Sequence, residues 1–145
     1  TAFLSTYPWP ENSEFHVLNV AAPVKIGSFM SVLPGPLLEN ISKERVQSGE
    51  SMVAKAKEKI VSLFKTAKVQ TEVREGLPIE EIIESATEIG AGLIIMGAHR
   101  RSAVDLMVGN ITQSVVSNAP CAVVVIPLPK KTRATTEKDK PHVIV

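Results

Sequence analysis

Short apolar runs that alternate with helix-like segments constrain the fold of this chain more than any other feature. Residues 93–96 (LIIM) and 122–126 (AVVVI) are apolar throughout. Residues 15–20 (FHVLNV) and 69–74 predict two further short strands. Strands that are buried on both faces are typical of parallel sheets, whose faces are covered by helices. The alternation therefore predicts an α/β fold with a parallel sheet and right-handed crossovers.

The segments between these strands carry helical periodicity and signals for helix ends. A long helix is predicted over residues 38–67, where apolar residues recur at spacings of three and four. A second helix follows Pro78, whose missing N–H is tolerated in a first turn, and is expected to end at Gly90. The third is expected to open at Asn110 as its N-cap, with Gln113 as a capping-box partner.

Composition indicates one globular domain without an obvious polyanionic partner. The chain has 145 residues, a net charge of +1 and 21% charged residues, so charge gives no reason to expect nucleic acid or an anionic membrane. No apolar run approaches the ~20 residues that cross a bilayer. Cys121 is the single cysteine, which excludes an internal disulfide and favours a reducing, cytoplasmic location.

A pattern typical of phosphate binding stands between the last two predicted strands. Gly97 follows the run at residues 93–96, and Gly109 directly precedes a predicted helix. Glycines let the backbone approach an anion closely, and the free N–H groups of the helix's first turn point at it. A tight turn followed by a helix cap explains the same residues, so both interpretations stay open.

Catalytic and metal sites are not predicted. His99 and Asp105 could suggest acid–base chemistry, but no serine or cysteine nucleophile has a partner at a recognisable spacing. The three histidines and Cys121 lack the spacing of metal ligands. His16 alternates with apolar residues on a predicted strand and is interpreted as structural.

The stretch LIIMGAHRRSAVDLMVGNITQSVVSNAPCAVVVIP resembles the end of universal stress proteins, whose nucleotide-binding members carry G-x2-G-x9-G-[ST] before the last helix. EVREGLPIEEIIESATEIGAGLIIMG and WPENSEFHVLNVAAP resemble earlier parts of the same family, so the resemblance spans residues 9–127. It implies a Rossmann-like three-layer α/β sandwich of the adenine nucleotide alpha hydrolase type. Its sheet would be mostly parallel and five-stranded, in the order 3-2-1-4-5.

The glycine motif departs from the family pattern. Arg100 stands at the motif's second glycine, the interval to Gly109 is one residue shorter, and Asn110 replaces a Ser or Thr hydroxyl. The lost glycine removes the close approach of the backbone there. Arg100 and Arg101 could supply charge to a phosphate instead, or could form a solvated pair.

The resemblance implies a module of stress response or signalling that acts by dimerisation, with weak adenine-nucleotide binding through the degenerate motif. The alternative is an ATP-binding sensor with slow ATPase activity. ATP or AMP, neither of them required, would lie at the carboxyl ends of the strands, and no residue takes a catalytic role. The implied contacts come from Val20, Gly97, His99, Arg100, Gly109, Asn110 and Ile111.

The implied partners are a second copy of the chain and a signalling protein. Residues 122–126 would form the last strand at a sheet edge, where exposed apolar backbone is prone to pairing. The family commonly pairs this strand across a two-fold axis, which implies a homodimer. A monomer whose edge is covered is the alternative.

The implied central strand of the sheet, which would end in an acidic residue, does not precede Thr1 in this sequence. Residues 1–129 are therefore assigned to a universal-stress-protein-like domain without its first strand, and residues 130–140 to a flexible linker. Residues 141–145 (PHVIV) resemble the opening of such a strand. They are expected either to fill the central position, in their own chain or a neighbour, or to begin a second copy.

Overall fold

Parallel strand pairs and the helices that connect them make up the described part of the chain. The computed structural model describes residues 2–23, 35–99 and 109–128. In chain order the elements are α1 (Ala2–Thr6), β1 (Glu14–Ala21), α2 (Gly35–Leu63), β2 (Lys68–Glu75), α3 (Pro78–Glu88), β3 (Leu93–His99), α4 (Asn110–Asn118) and β4 (Ala122–Leu128). The predicted α/β class with parallel strands is confirmed.

The four strands form two separate parallel pairs. β1 pairs with β2, with Glu14 opposite Lys68, and β3 pairs with β4, with Leu93 opposite Ala122. Within the described residues no hydrogen-bonded ladder joins one pair to the other. These pairings are compatible with the outer pairs of the predicted sheet, whose fifth strand and complete order stay predictions.

Helix packing ties the two strand pairs together. α2 packs against β1 and β2, and α4 packs against β3 and β4. α3 leads from β2 to β3, and it contacts both β1 and α4 on the way. With right-handed crossovers, α3 and α4 share one face and α2 lies on the other. The pair β3–β4 therefore lies on the side of β1 that is away from β2.

The helix ends confirm one sequence prediction and correct two others. α3 ends in a Schellman motif, in which Gly90 has a φ of 61° and Ala91 N–H donates to Ala86 O at 2.8 Å. The prediction that this helix ends at Gly90 is confirmed. The predicted N-cap of α4 is wrong by one residue. Gly109 is the cap, because its φ of −58° and ψ of 155° are extended while Asn110 is already helical. The long helix spans Gly35–Leu63, so its predicted bounds were also late.

The apolar side chains of the strands are less buried than their sequence predicts. The side chains of residues 15–20, 93–96 and 123–126 are half-buried, not buried as expected. The physical reason is that β1 and β3 each have a strand partner on one edge within the described part. The buried hydrophobic residues that the structure describes are Val53, Ile60, Val69, Ala86, Ala98 and Val115. No helix in the described ranges is long and apolar enough to cross a membrane.

Aromatic side chains form a cluster at the amino-terminal end of β1. Trp9 lies between α1 and the sheet, with its ring 5.3 Å from that of Phe15, and Phe15 stacks on Phe64 at 5.1 Å. Trp9 Nε1 also donates to Leu4 O at 2.8 Å. Phe3 and Tyr7 complete the cluster through their contacts with Trp9. The segment before β1 is therefore anchored by ring packing, each pair contributing roughly 0.5–1.5 kcal/mol.

A glycine lets α2 approach the sheet closely. Gly49 is buried against β1 and β2. A Cβ atom at this position would lie 2.6 Å from Asn19 Oδ1 and 3.1 Å from Val73 Cγ1. The missing side chain thus sets the distance between α2 and the first strand pair.

We expect Gly49→Ala to lower the free energy of unfolding by about 1 kcal/mol in urea denaturation. Alanine favours a helix by roughly 0.5–1 kcal/mol, but overpacking costs roughly 1–3 kcal/mol. The matched control is the same substitution in an Asn19→Ala background, where the closest obstructing atom is gone and the penalty should become smaller, with the Val73 contact remaining. An equal loss of stability in both backgrounds would contradict the packing argument.

Candidate functional site

The carboxyl ends of the strands define the edge at which a ligand site is expected. β1 ends at Ala21 opposite Glu75 of β2, and β3 ends at His99 opposite Leu128 of β4. α4 begins at this same edge because it follows β3 in a parallel crossover. Open α/β sheets bind ligands outside the carboxyl ends of their strands, where the direction of strand order reverses. That reversal falls between β1 and β3.

The amino-terminal end of α4 is the part of the predicted phosphate site that the structure describes. Its cap, Gly109, makes no side-chain capping hydrogen bond, and a Cβ there would meet no atom within 4 Å. Asn110 and Ile111 are exposed, and Thr112 is buried with 5% of its surface accessible. The N–H groups of a first helical turn have no acceptor within the helix and carry the positive end of its dipole. These groups favour an anion at this end of α4, and phosphate binding there stays a prediction.

The structure brings together some of the predicted contact residues and separates others. Gly109, Asn110 and Ile111 are consecutive at the start of α4. Gly97 was expected at the carboxyl end of its strand, but β3 continues to His99, so Gly97 lies inside the strand opposite Ile126. The correction arises because Ala98 and His99 remain paired with β4.

Of the other predicted contact residues, one lies on the first strand pair and one is outside the described part of the chain. Val20 is half-buried on β1, opposite Arg74, and so belongs to the other strand pair. Arg100 lies outside the described residues, as do Arg101 and Asp105. The described contribution to a phosphate site therefore comes from the backbone of α4.

A small cavity lies at the carboxyl ends of β1 and β2. It has a volume of about 250 Å³ and is lined by Ala21, Ala22, Pro23, Leu38, Ser42, Arg45, Glu75 and Gly76. Arg45 Nη1 donates to Ala22 O at 2.7 Å, and Ser42 Oγ donates to Glu75 Oε2 at 2.6 Å. These polar groups fasten α2 to the strand ends. The volume is below the ~300–1,000 Å³ of ordinary ligand pockets, so this cavity is not the candidate site.

A polar cluster that the sequence did not predict joins β1, β2 and α3. Glu72 interacts with His16 Nε2 at 2.9 Å, accepts from Arg74 Nε at 2.7 Å and accepts from Ser85 Oγ at 3.3 Å. Arg74 also forms an ion pair with Glu88 on α3. Within the described residues no buried side-chain polar atom lacks a hydrogen-bond partner. The structural interpretation of His16 is thereby supported by its partner.

The charges of this cluster stabilise one another. Burial raises the pKa of the Glu72 carboxyl, but hydrogen bonds from Arg74 and His16 lower it more, so the pKa lies below its ordinary 4.5. Hydrogen bonds to Glu88 and Glu72 raise the pKa of Arg74. The cluster therefore holds α3 on the sheet and does not present an activated base. Across the described ranges no three metal-ligating side chains come together.

Comparison with known sequences gives consistent matches. The model of the Universal stress protein family matches residues 11–127. Universal stress protein MJ0531 of Methanocaldococcus jannaschii is 33% identical over 96 residues, which are 66% of this chain and 54% of that protein. A universal stress protein of Thermus aquaticus, from the QAH/OAS sulfhydrylase 3' region, is 32% identical over 92 residues. These residues are 63% of this chain and 64% of that protein. The chain thus spans between half and two thirds of these relatives' lengths.

Comparison with solved structures supports the fold. Universal stress protein UspA from Lactobacillus plantarum superimposes with a TM-score of 0.65 at 23% identity, covering 79% of this chain and 77% of that one. The hypothetical protein PH0823 gives 0.62 at 20% identity, covering 91% and 87%. The hypothetical protein MJ0577 gives 0.54 at 19% identity, covering 90% and 86%. At these identities the likeness establishes the α/β fold.

We expect Glu72→Gln to lower the free energy of unfolding by about 1 kcal/mol at neutral pH, because it weakens charge-assisted hydrogen bonds. A lowered folded-state pKa contributes stability above the unfolded value of 4.5. That contribution is lost as the pH falls through the folded pKa, so the two chains should converge in acid. Urea denaturation at a series of pH values from neutral to well below 4.5 measures this.

Glu14→Gln is the matched control for that experiment. Glu14 also pairs with a cation across β1 and β2, but it and Lys68 are each 60% exposed. Its loss should change the free energy of unfolding by less than about 0.5 kcal/mol. A Glu72→Gln penalty that persists unchanged at the lowest pH would show that packing, not charge, accounts for it.

Proposed function

The chain belongs to the universal stress protein family, and we propose that it acts as a binding module in stress response or signalling and not as a catalyst. Two surfaces carry this function. The start of α4 takes the phosphate of an adenine nucleotide, ATP or AMP, with low affinity. The edge of β4 that faces away from β3 pairs with a second copy. The resulting dimer binds a signalling protein in the cytoplasm. Cys121, a free and half-buried thiol, is compatible with that location.

The open backbone at Gly109 is the observation that carries the nucleotide proposal. The extended cap and the exposed Asn110 leave the first N–H groups of α4 accessible to an anion. The side chain of Asn110 adds an amide, which can donate a hydrogen bond to phosphate where the family has a hydroxyl. Arg100 in place of the motif's second glycine removes one close backbone approach. We therefore expect a dissociation constant near ~1 mM, or about 4 kcal/mol of binding free energy.

The edge of β4 supports the dimer proposal. β4 pairs with β3 along one edge in the described part of the chain. Pro127 lies within this strand, a position that proline occupies in edge strands. The neighbouring helix exposes Ile111 at 43% and Val116 at 51%. An apolar strand edge beside exposed apolar side chains is suited to pairing with a copy of itself.

We expect Gly109→Asp to abolish ATP binding in isothermal calorimetry, because its carboxylate would cap the same N–H groups and repel the phosphate. Gly109→Ala is the matched control and should bind ATP within about twofold of the wild type, since a Cβ there meets open space. Equal binding by both variants would exclude the start of α4. ATP turnover by the wild type in the same samples would contradict a purely binding role.

We expect sedimentation equilibrium to show a dimer that Ala122→Lys weakens by about tenfold, roughly 1.4 kcal/mol. Ala122 is exposed at the start of β4, so the lysine adds charge at the edge without disturbing the fold. Gln70→Lys is the matched control, placing the same exposed charge on β2 in the other strand pair. A monomeric wild type at about 100 µM, or equal weakening by both variants, would refute pairing through β4.

A further inference from the structure

The outer surface of α2 carries a strip of exposed residues that the sheet does not cover. In the described ranges α2 packs on β1 and β2, and Val53 and Ile60 are buried on its inner side. Residues three and four positions apart lie above one another on a helix. Four exposed residues with these spacings form one strip along the outer side: Met52, Lys55, Lys59 and Leu63. We call this strip the basic ridge.

The basic ridge combines uncompensated positive charge with exposed apolar surface. Among the described residues, neither Lys55 nor Lys59 forms an ion pair with a carboxylate. Met52 is 56% exposed and Leu63 is 41% exposed, one at each end of the ridge. Such a surface fits a partner that presents negative charge beside an apolar contact. The net charge of +1 does not reveal it, because the helices differ in the sign of their charge.

Helix α3 presents the matching arrangement. It contains four glutamates and no basic residue. The spacings of the basic ridge recur in exposed residues of α3 and its cap, which we call the acidic ridge: Leu77, Glu80, Glu84 and Glu88. Leu77 is 49% exposed. Arg74 lies 4.0 Å from Glu84 and pairs with Glu88, so within the described part this single cation faces most of the negative charge of the helix.

The two ridges are complementary in length as well as in charge. Both have successive spacings of three, four and four residues, so each extends over roughly 16 Å of helix. Antiparallel packing is the favourable direction, because each helix end then lies beside the oppositely charged end of the other helix. This direction brings together the following pairs: Leu63 with Leu77, Lys59 with Glu80, and Lys55 with Glu84. One apolar contact and two ion pairs therefore form in one register.

We propose that the basic ridge of one copy docks on the acidic ridge of a second copy. The two ridges of one chain do not meet, because α2 and α3 cover opposite faces of the sheet. Each contact therefore joins α2 of one copy to α3 of the next, which is a heterologous, head-to-tail interface. Exposed ion pairs are weak and are screened by salt, so the dissociation constant should be about 1 mM and should rise with ionic strength.

Dilution of the ¹⁵N-labelled chain, followed by NMR, measures this contact. In about 20 mM salt, amide signals of both ridges should shift along one binding curve between about 0.05 mM and about 1 mM protein. In about 300 mM salt the affinity should be at least tenfold lower. Pairing through β4 would shift signals of β4 and not those of α2, which packs on the other strand pair. Failure of this proposal is therefore distinguishable from failure of the dimer proposed above.

Charge reversal tests whether the two ridges contact each other. Lys55→Glu combined with Lys59→Glu should weaken the association at least tenfold, because like charges then meet across the interface. Glu80→Lys combined with Glu84→Lys should weaken it equally, for the same reason. A chain with all four substitutions should recover the wild-type affinity, because opposite charges meet again and its net charge is that of the wild type.

Lys43→Glu combined with Lys57→Glu is the matched control. Both lysines are exposed on α2 but lie off the basic ridge, so the same change of net charge should leave the affinity within about twofold of the wild type. Equal weakening by the control, or no recovery in the chain with four substitutions, would overturn the proposal. Signals that do not move on dilution would also overturn it. Shifts confined to α2 would assign the basic ridge to a different acidic surface, and would overturn it too.

Discussion

The packing of α3 between β1 and α4 is the contact on which the rest of this structure depends. Each strand pair is held together by its own parallel ladder and is covered by a helix. What relates the two pairs is α3, which reaches β1 through the Glu72 cluster and the other pair through α4. The ion pair of Arg74 with Glu88 strengthens the same attachment. Among the described residues this packing is what links the two pairs, because no ladder joins them there.

The position of the candidate site follows from that arrangement of helices and strands. The amino end of α4 lies near the position where the direction of strand order reverses. The reversal arises because β2 lies on one side of β1, whereas α3 and α4 lead to strands on the other side. What the site offers is mainly backbone: Gly109 supplies the open cap, and Asn110 adds an exposed amide. A site made of N–H groups and a helix dipole favours anions but discriminates poorly among them. This is why we infer a weak binding module.

Local patterns in the sequence predicted the elements well, and tertiary features poorly. The Schellman end at Gly90 follows from a glycine after an amphipathic helix, and all four described strands were predicted. The Glu72 cluster was not predicted because it depends on the register between β1 and β2, in which Leu18 lies opposite Glu72. The periodicity within one strand does not contain that register. Gly97 was misplaced because a glycine can lie inside a strand as well as end one. The half-burial of the apolar strands depends on which edges are paired, which no single strand reveals.

The central claim is that α3 holds the two strand pairs together by packing on β1 and on α4. Long-range NOEs between side-chain protons measure this most directly, because they report neighbouring helices and strands one by one. The account predicts NOEs from α3 to β1 and from α3 to α4 in the same sample. An absence of NOEs between α3 and α4, in a chain that keeps the NOEs within each strand pair, would contradict it.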